Sequence, residues 1–497
     1  MARNALLNIA GHVAPLLGAF IAVPFLVRGM GTERFGILTI IWLVIGYFSL
    51  FDLGLGTATT KLVAEKLGAR REDEVPRLLK TVVVMLGFLG AAGTAIVLGL
   101  SSWLVTSAMK VPAILQKETL QSVHLLAFAI PLVILTTCYR GTLEAYQRFD
   151  LVNVVRIPLG LLTFFGPLVV LTYSKSLVPV TVVLIVFRGI SMIIYRKQCR
   201  SILPSGTTGA DWKDELRPLL AYGSWVTVSS IISPVMVYFD RFLISAYVSV
   251  AAVAYYAMPF EIVTKLWVVA GALVGVLFPA FSATVKNDRS GTVRLLSRAW
   301  AVLFIAIFPV VMIGTTLAHE CLDLWLGRAF ADNSQYVLQV LTAGVFINCF
   351  AQIAFALVQS AGRPDVTAKA HLFELPLYLL SLWWLIRTYG VLGAAIAWLL
   401  RIIIDSTILF YFTIRIVPES FDSVKRLAMI VAIAIVSGIC IAQVQALAVK
   451  IACLVSAMVL IGGGAWVFLV SQQDKDSVVN GLSSVLSLPV LKRGGKS

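Results

Sequence analysis

The chain has 497 residues, of which 59% are hydrophobic and only 13% charged; soluble domains carry roughly 25% charged residues, so an ordinary soluble globular protein is excluded. Eleven Trp and a mean hydropathy of +0.93 agree with a polytopic membrane protein. The net charge of +15 does not point to nucleic acid, because no basic stripe interleaved with aromatics lies on a polar surface. Basic loops facing an anionic inner leaflet account for it.

In chain order, the N-terminus MARNALLNIAGHVAPLLGAFIAVPFLVRG has a positive start and an apolar run of about twenty residues. A secretory signal has a shorter apolar core and a small-residue cleavage site, so this segment reads as an uncleaved first helix. A span needs roughly 20 apolar residues. About fourteen such stretches are predicted, near 6–28, 35–60, 79–105, 119–140, 153–173, 176–196, 218–241, 250–283, 296–319, 335–360, 369–388, 391–415, 425–446 and 450–470. The charged segment KLVAEKLGARREDEVPRLLK (61–80) has a helical period and is expected to lie on the inner surface. SILPSGTTGADWKDELRP (201–218) is the longest linker.

These features predict an all-α membrane protein in five parts: an N-terminal lobe of six helices (1–200), a cytoplasmic linker (201–217), a C-terminal lobe of six more (218–418), helices 13 and 14 (419–471), and an amphipathic cytoplasmic tail (472–497). The six Cys include no CxxC, so neither a disulfide framework nor a zinc site is specified.

Lys and Arg collect in every second gap between the apolar stretches. With the N-terminus inside, 29 of the 40 fall on the cytoplasmic side. Nine fall opposite (Arg28, Arg34, Lys110, Lys117, Lys175, Arg241, Arg328, Arg387 and Lys450), and Lys265 and Arg401 fall inside spans. Cytoplasmic loops retain basic residues and translocated loops are depleted of them, so the sorting predicts an even number of spans with both termini cytoplasmic. The two blocks also look related. Each opens with a Pro-containing helix (Pro15 and Pro24, then Pro234), and EAYQRFDLVNVVRIP (144–158) parallels QSAGRPDVTAKAHLFELP (359–376). Arg148 and Asp150 align with Arg363 and Asp365, as in parallel repeats about an axis along the membrane normal.

An ionisable group inside a span costs at least about 2.5–3.5 kcal/mol unless it faces protein or water. The basic candidates are Arg28, Arg140, Arg156, Arg241, Lys265 and Arg401, and the acidic ones Asp52, Glu144, Asp240, Glu261, Glu374 and Asp405. His12, His124 and His371 complete the set; a lone helical His is more often a hydrogen-bonded packing residue than a ligand. Arg140 with Glu144, Glu261 with Lys265, and Arg401 with Asp405 stand at i,i+4, where opposite charges meet on one helical face. Arg28, Arg156, Asp240 and Arg241 lie near predicted helix ends, where snorkelling competes with a binding role. Asp52 has no local partner, and Glu374 has only His371 one turn before it. No HExxH, nucleophile elbow, Walker loop or GxGxxG in strand–helix context occurs. The chain is therefore not expected to be an enzyme, and the energy for any transport would come from an ion gradient or the substrate's own gradient. Prolines at mid-span (Pro15, Pro24, Pro131, Pro234 and Pro259) remove backbone hydrogen bonds and permit bends, as moving lobes would need.

Pro24, Arg28, Gly31, Phe35–Gly36, Tyr47–Phe48, Asp52–Gly54 and Lys61 stand in the order and spacing found at the start of Wzx-type flippases of the polysaccharide transporter family. Many members have Arg where Lys61 stands. The second block resembles the family in Asp240–Arg241, Tyr255–Tyr256, LFPAFSA, SAGRPDVTAKAHLFELPLYLL and YGVLGAAIAWLLR, so the likeness covers roughly 5–415. The family shares a superfamily with MATE drug exporters and lipid II flippases. What the resemblance implies is two six-helix lobes in a V around a cavity, plus two C-terminal helices, in the bacterial inner membrane. The substrate it implies is an undecaprenyl-pyrophosphate-linked oligosaccharide, moved from the cytoplasmic to the periplasmic leaflet for O-antigen, capsule or exopolysaccharide assembly. Members tend to have a cationic cavity, for which Arg28, Lys61, Arg140, Arg156, Arg241, Lys265 and Arg401 are the candidates here. Asp52, Asp240, Glu261 and Glu374 are candidates for coupling to H+ or Na+. No metal or organic cofactor is implied. Lipid-linked oligosaccharide and membrane lipids are the expected partners, with a polysaccharide polymerase and glycosyltransferases beside them. A MATE-like exporter of cationic drugs would favour acidic residues in the first helix, and 6–28 holds none. A scaffold that recruits glycosyltransferases through 61–80 is the other alternative.

Overall fold

The computed structural model describes residues 2–48, 55–204, 236, 239–285 and 288–469, and every described element is helical. They are α1 (Ala2–Met30), α2 (Thr32–Tyr47), α3 (Leu55–Gly68), α4 (Val75–Trp103), α5 (Ala113–Ala127), α6 (Ala129–Ala145), α7 (Phe149–Leu171), α8 (Leu177–Ile202), α9 (239–247), α10 (Val250–Val263), α11 (Trp267–Thr284), α12 (Arg289–Thr316), α13 (Ala318–Leu326), α14 (Arg328–Ser360), α15 (Pro364–Ile416), α16 (Phe421–Ala442) and α17 (Leu447–Leu469). Ten helical stretches among the described residues are long and apolar enough to cross a membrane. The sequence predicts about fourteen spans. The stretch Asp365–Ile416, counted once among the ten, contains the gap predicted between 388 and 391. Gly390 has φ 58° and ψ −133° there and divides α15 into two helices. Only Gly tolerates that backbone readily.

The chain divides into two compact units. One comprises Met1–Ala257 with Leu382–Ala394, the other Met258–Ser381 with Ala395–Ser497. Within the first, α1 runs along α7, and α6 packs on α3, α4 and α8. Two close approaches depend on glycine. A side chain at Gly160 would meet the Pro15 ring at 2.4 Å, and one at Gly36 would meet the Val250 carbonyl oxygen at 2.0 Å. Small residues let helix backbones approach where no hydrophobic force separates protein from lipid. In the second unit, α12 lies against α14, α16 and α17, with Phe304, Phe308, Phe346 and Phe350 clustered between α12 and α14.

The expected surface helix over 61–80 is corrected. These residues form the end of α3, a reversing turn, a 3-10 turn (Glu72–Glu74) and the start of α4. The same turn recurs twice. At 66–71, 143–148 and 358–363 an Arg N–H bonds the carbonyl five residues back, and the preceding N–H bonds the carbonyl three back. The residue before each Arg has positive φ: Arg70, Gln147 and Gly362. This is the Schellman pattern, which satisfies the last carbonyls of a helix. Arg148 and Arg363 then grip Asp150 and Asp365 in the same two-bonded way, at 3.0 and 2.9 Å and at 3.1 and 3.4 Å. The alignment of Arg148–Asp150 with Arg363–Asp365 is thus matched by identical turn hydrogen bonding and the same charge clasp.

The linker 201–217 beyond Pro204, most of the predicted helix 218–241 and the tail 472–497 lie outside the described residues.

Candidate functional site

In the first unit three arginines from successive helices come together. Arg140 on α6 acts electrostatically on Arg156 of α7 and Arg188 of α8, and Tyr195 on α8 is within the field of all three. The carboxylate among them is Glu144, 3.5 Å from Arg140. The predicted i,i+4 pair is therefore present. The buried Tyr195 hydroxyl donates to the Val152 carbonyl at 3.0 Å, tying α8 to α7 beside the cluster. Arg188 was missed as a candidate and counted with the cytoplasmic residues. It follows Leu177, the first residue of α8, by eleven positions, about 16 Å along the axis. The signal was available, since 188 lies near the middle of the predicted span 176–196.

Arg28 is exposed in the last turn of α1. Lys61 sits on α3, and Asp52 lies outside the described residues. Asp240 and Arg241, read as possible snorkelling residues, are both buried, at 0% and 2% exposure. Asp240 accepts the Tyr256 hydroxyl at 2.5 Å and the Arg241 backbone N–H at 2.7 Å. The recurring Asp-Arg and Tyr-Tyr features of the sequence thus meet across α9 and α10. His124 bonds Ser101 at 2.9 Å, a packing role.

In the second unit the two halves of α15 bring ionisable groups together. His371, Glu374 and Tyr378 follow one another at helical spacing on the first half, and Arg401 and Asp405 on the second. Asp405 and Arg401 both act on Glu374, and His371 and Arg401 both act on Asp405. Arg401 and Asp405 do not close the predicted salt bridge. The guanidinium instead lies over the Tyr378 ring, 5.5 Å from its centroid. Glu374 is 1% exposed, and neither carboxylate oxygen has a hydrogen-bond partner among the described residues. Burying a carboxylate without hydrogen-bond partners is costly, and Arg401 is an opposite charge that acts on it. Glu261 and Lys265 form their expected pair at 3.2 Å, half exposed, where α10 gives way to a 3-10 turn before α11.

Residues 1–285 match the sequence profile described as polysaccharide biosynthesis protein. A candidate O-antigen transporter of Shigella flexneri is 32% identical over 409 residues, covering 82% of this chain and 96% of that protein. A candidate low-salt glycan biosynthesis flippase of Haloferax volcanii is 22% identical over 210 residues, covering 42% of this chain and 43% of that one. An inward-facing multidrug MATE transporter superposes with a TM-score of 0.69 at 15% identity, covering 82% of this chain and 98% of that one. The lipid II flippase MurJ in an inward closed state gives 0.67 at 14% identity, covering 95% of this chain and 100% of that one. At such identities the structural matches establish the fold alone, one shared with these MATE and MurJ structures, while the family rests on the sequence matches. The chain is a multi-pass membrane protein of the polysaccharide biosynthesis protein family.

Proposed function

We propose that the protein is a flippase for lipid-linked saccharide and not an enzyme. Its substrate is an undecaprenyl-pyrophosphate-linked oligosaccharide, carried from the cytoplasmic to the periplasmic leaflet of the bacterial inner membrane. The observation that supports this reading is that Arg140, Arg156 and Arg188 stand on three successive apolar helices, with Arg140 within electrostatic reach of both others and Tyr195 within reach of all three. A pyrophosphate with hydroxylated sugars cannot enter hydrocarbon without losing its hydration. Guanidinium is suited to receive it, since its planar fork donates in pairs and stays charged. Three neighbouring guanidinium groups would not attract a cationic drug, which disfavours the exporter reading. Arg28, Lys61, Arg241, Lys265 and Arg401 remain further candidates for headgroup contact.

Alternating access of two lobes (1–200 and 218–418, joined by the linker 201–217 and followed by helices 13–14 in 419–471) would present the headgroup to each side. Both termini and the tail 472–497 would stay cytoplasmic. Glu374, buried beside Asp405, His371 and Arg401, is the group best placed to take up H+ or Na+ and reset the lobes; Asp52, Asp240 and Glu261 are the lesser candidates. Deleting the protein from its native cell tests the reading. Lipid-linked saccharide is expected to accumulate in the inner membrane while surface polysaccharide is lost, with both restored by the wild-type chain. Normal surface polysaccharide in the deletion strain would refute it.

A further inference from the structure

A second cationic group lies in the first unit. The Lys110 ammonium is 5.8 Å from the centre of the Tyr247 ring, and the Arg387 guanidinium is 4.9 Å from the same ring and 4.6 Å from that of Trp383. Tyr247 and Trp383 are 40% and 39% exposed, and both cations are exposed. The group is built into the fold. The Ser245 hydroxyl donates to the Met109 carbonyl at 2.8 Å, pinning the end of α9 to the turn that carries Lys110. Lys110 itself holds φ at +47°, a conformation a Lys side chain rarely adopts.

Lys110 and Arg387 belong to the minority of basic residues that the charge sorting places on the translocated side, where Lys and Arg are selected against. Others of that minority have carboxylate partners: Arg34 meets Glu118 at 3.3 Å and Lys450 meets Glu320 at 2.6 Å. Lys110 and Arg387 form no salt bridge among the described residues; both converge on one aromatic ring instead. A cation–π contact leaves the N–H donors uncommitted. Two cations without a salt bridge among the described residues, beside two partly exposed aromatic rings, match an anionic sugar. Its C–H face can stack on an aromatic ring while its carboxylate or phosphate takes the Lys and Arg donors.

We propose that Lys110, Tyr247, Trp383 and Arg387 form an anionic-saccharide site at the outer end of the first unit, which receives the glycan as it leaves. The receiving role rests on the flippase reading; the binding chemistry does not. An interfacial aromatic belt with cations reaching lipid phosphate is the rival account of the same residues.

Saturation-transfer NMR on the full chain in phosphatidylcholine nanodiscs tests the proposal, with glucuronic acid, glucose 1-phosphate and glucose as probes. Saturable transfer to the ring protons of an anionic sugar, and not to glucose, is expected. Which anionic sugar binds tells a uronic acid from a sugar phosphate. Lys110→Gln and Arg387→Gln should each weaken binding at least threefold, the double variant should abolish it, and Trp383→Leu should remove the transfer. Equal signals from glucose and the anionic sugars, or full binding by the double variant, would overturn the proposal. So would loss of the signal in phosphatidylglycerol nanodiscs, which would assign the site to lipid phosphate. The transport reading fails separately: a chain that binds these sugars but moves no lipid-linked saccharide keeps the site and loses the flippase.

Discussion

Glu374 and Arg188 pose the same problem with opposite sign, a charged side chain deep in an apolar helix, and the protein meets it differently in each unit. Arg188 has Arg140 within electrostatic reach, an arrangement that would favour an anion under the flippase reading. Around Glu374 stand Asp405, His371 and Arg401, and the proposed coupling has Glu374 take up a proton or a cation there. Glu374→Gln, which keeps shape and removes the titrating group, is expected to abolish gradient-driven transport while leaving headgroup binding within about twofold, since RT ln 2 is only about 0.4 kcal/mol. Transport assays with and without an imposed gradient check this.

Outside the spans, Glu320 on α13 carries a pH signal. Its largest single influence is burial, which raises its pKa, but the Lys450 hydrogen bond, a backbone N–H and the charges of Lys450 and His319 together outweigh it, so the net shift is downward. A depressed carboxyl pKa contributes stability that is present above the ordinary Glu value near 4.5 and is lost as pH falls through the lowered one. Glu320→Gln should therefore flatten part of the acid limb of thermal stability and leave neutral behaviour little changed, apart from the lost ion pair. At this scale the i,i+4 pairs Arg140–Glu144 and Glu261–Lys265 were legible in the sequence, because helical spacing alone brings them together. The Asp240–Tyr256 bond was not, because it joins two helices whose packing no local pattern specifies.

Among the elements, the strongest sequence-level success is the break in α15, foreshadowed by an apolar gap around TYGVLG and realised at Gly390. Just past it, a side chain at Gly393 would meet the Leu385 carbonyl oxygen at 1.9 Å. Backbone cannot yield as a flexible side chain can, so Gly393→Ala should cost roughly 1–3 kcal/mol, the range for overpacking, read as a lower midpoint of thermal unfolding in detergent. The repeated Schellman turns give a matched pair. Gly362→Ala places a side chain at φ 78° and should destabilise by about 1 kcal/mol. Gln147→Gly, at φ 57° in the equivalent turn, should not. The surface helix predicted over 61–80 is not formed, because charge density does not by itself specify a separate element. Those charges instead line a reversal between two helices, with Lys66 and Arg71 clasping Glu74.

For the whole molecule, the sorting of Lys and Arg supplied a topology and also concealed a residue. Arg188, which the sorting places with the cytoplasmic cations, lies within electrostatic reach of Arg140 in the first unit. The fold class and family were legible because hydropathy and motif order act over hundreds of residues. The composition of each charged cluster was not, because it depends on which helices become neighbours. Both termini are expected on the cytoplasmic side, so a Cys-reactive, membrane-impermeant label should leave a terminal Cys tag unmodified in intact cells and modify it after permeabilisation.

The central claim is that the Arg140–Arg156–Arg188 cluster carries an anionic lipid-linked saccharide across the membrane. The most direct measurement is the rate at which the purified chain, reconstituted in liposomes, moves fluorescent undecaprenyl-pyrophosphate saccharide from one leaflet to the other. The wild-type chain is expected to move it, and Arg188→Gln to slow it at least tenfold, while Arg188→Lys, which keeps the charge and loses the fork, falls between. Equal rates for wild type and Arg188→Gln, or no movement by the wild-type chain, would contradict the account.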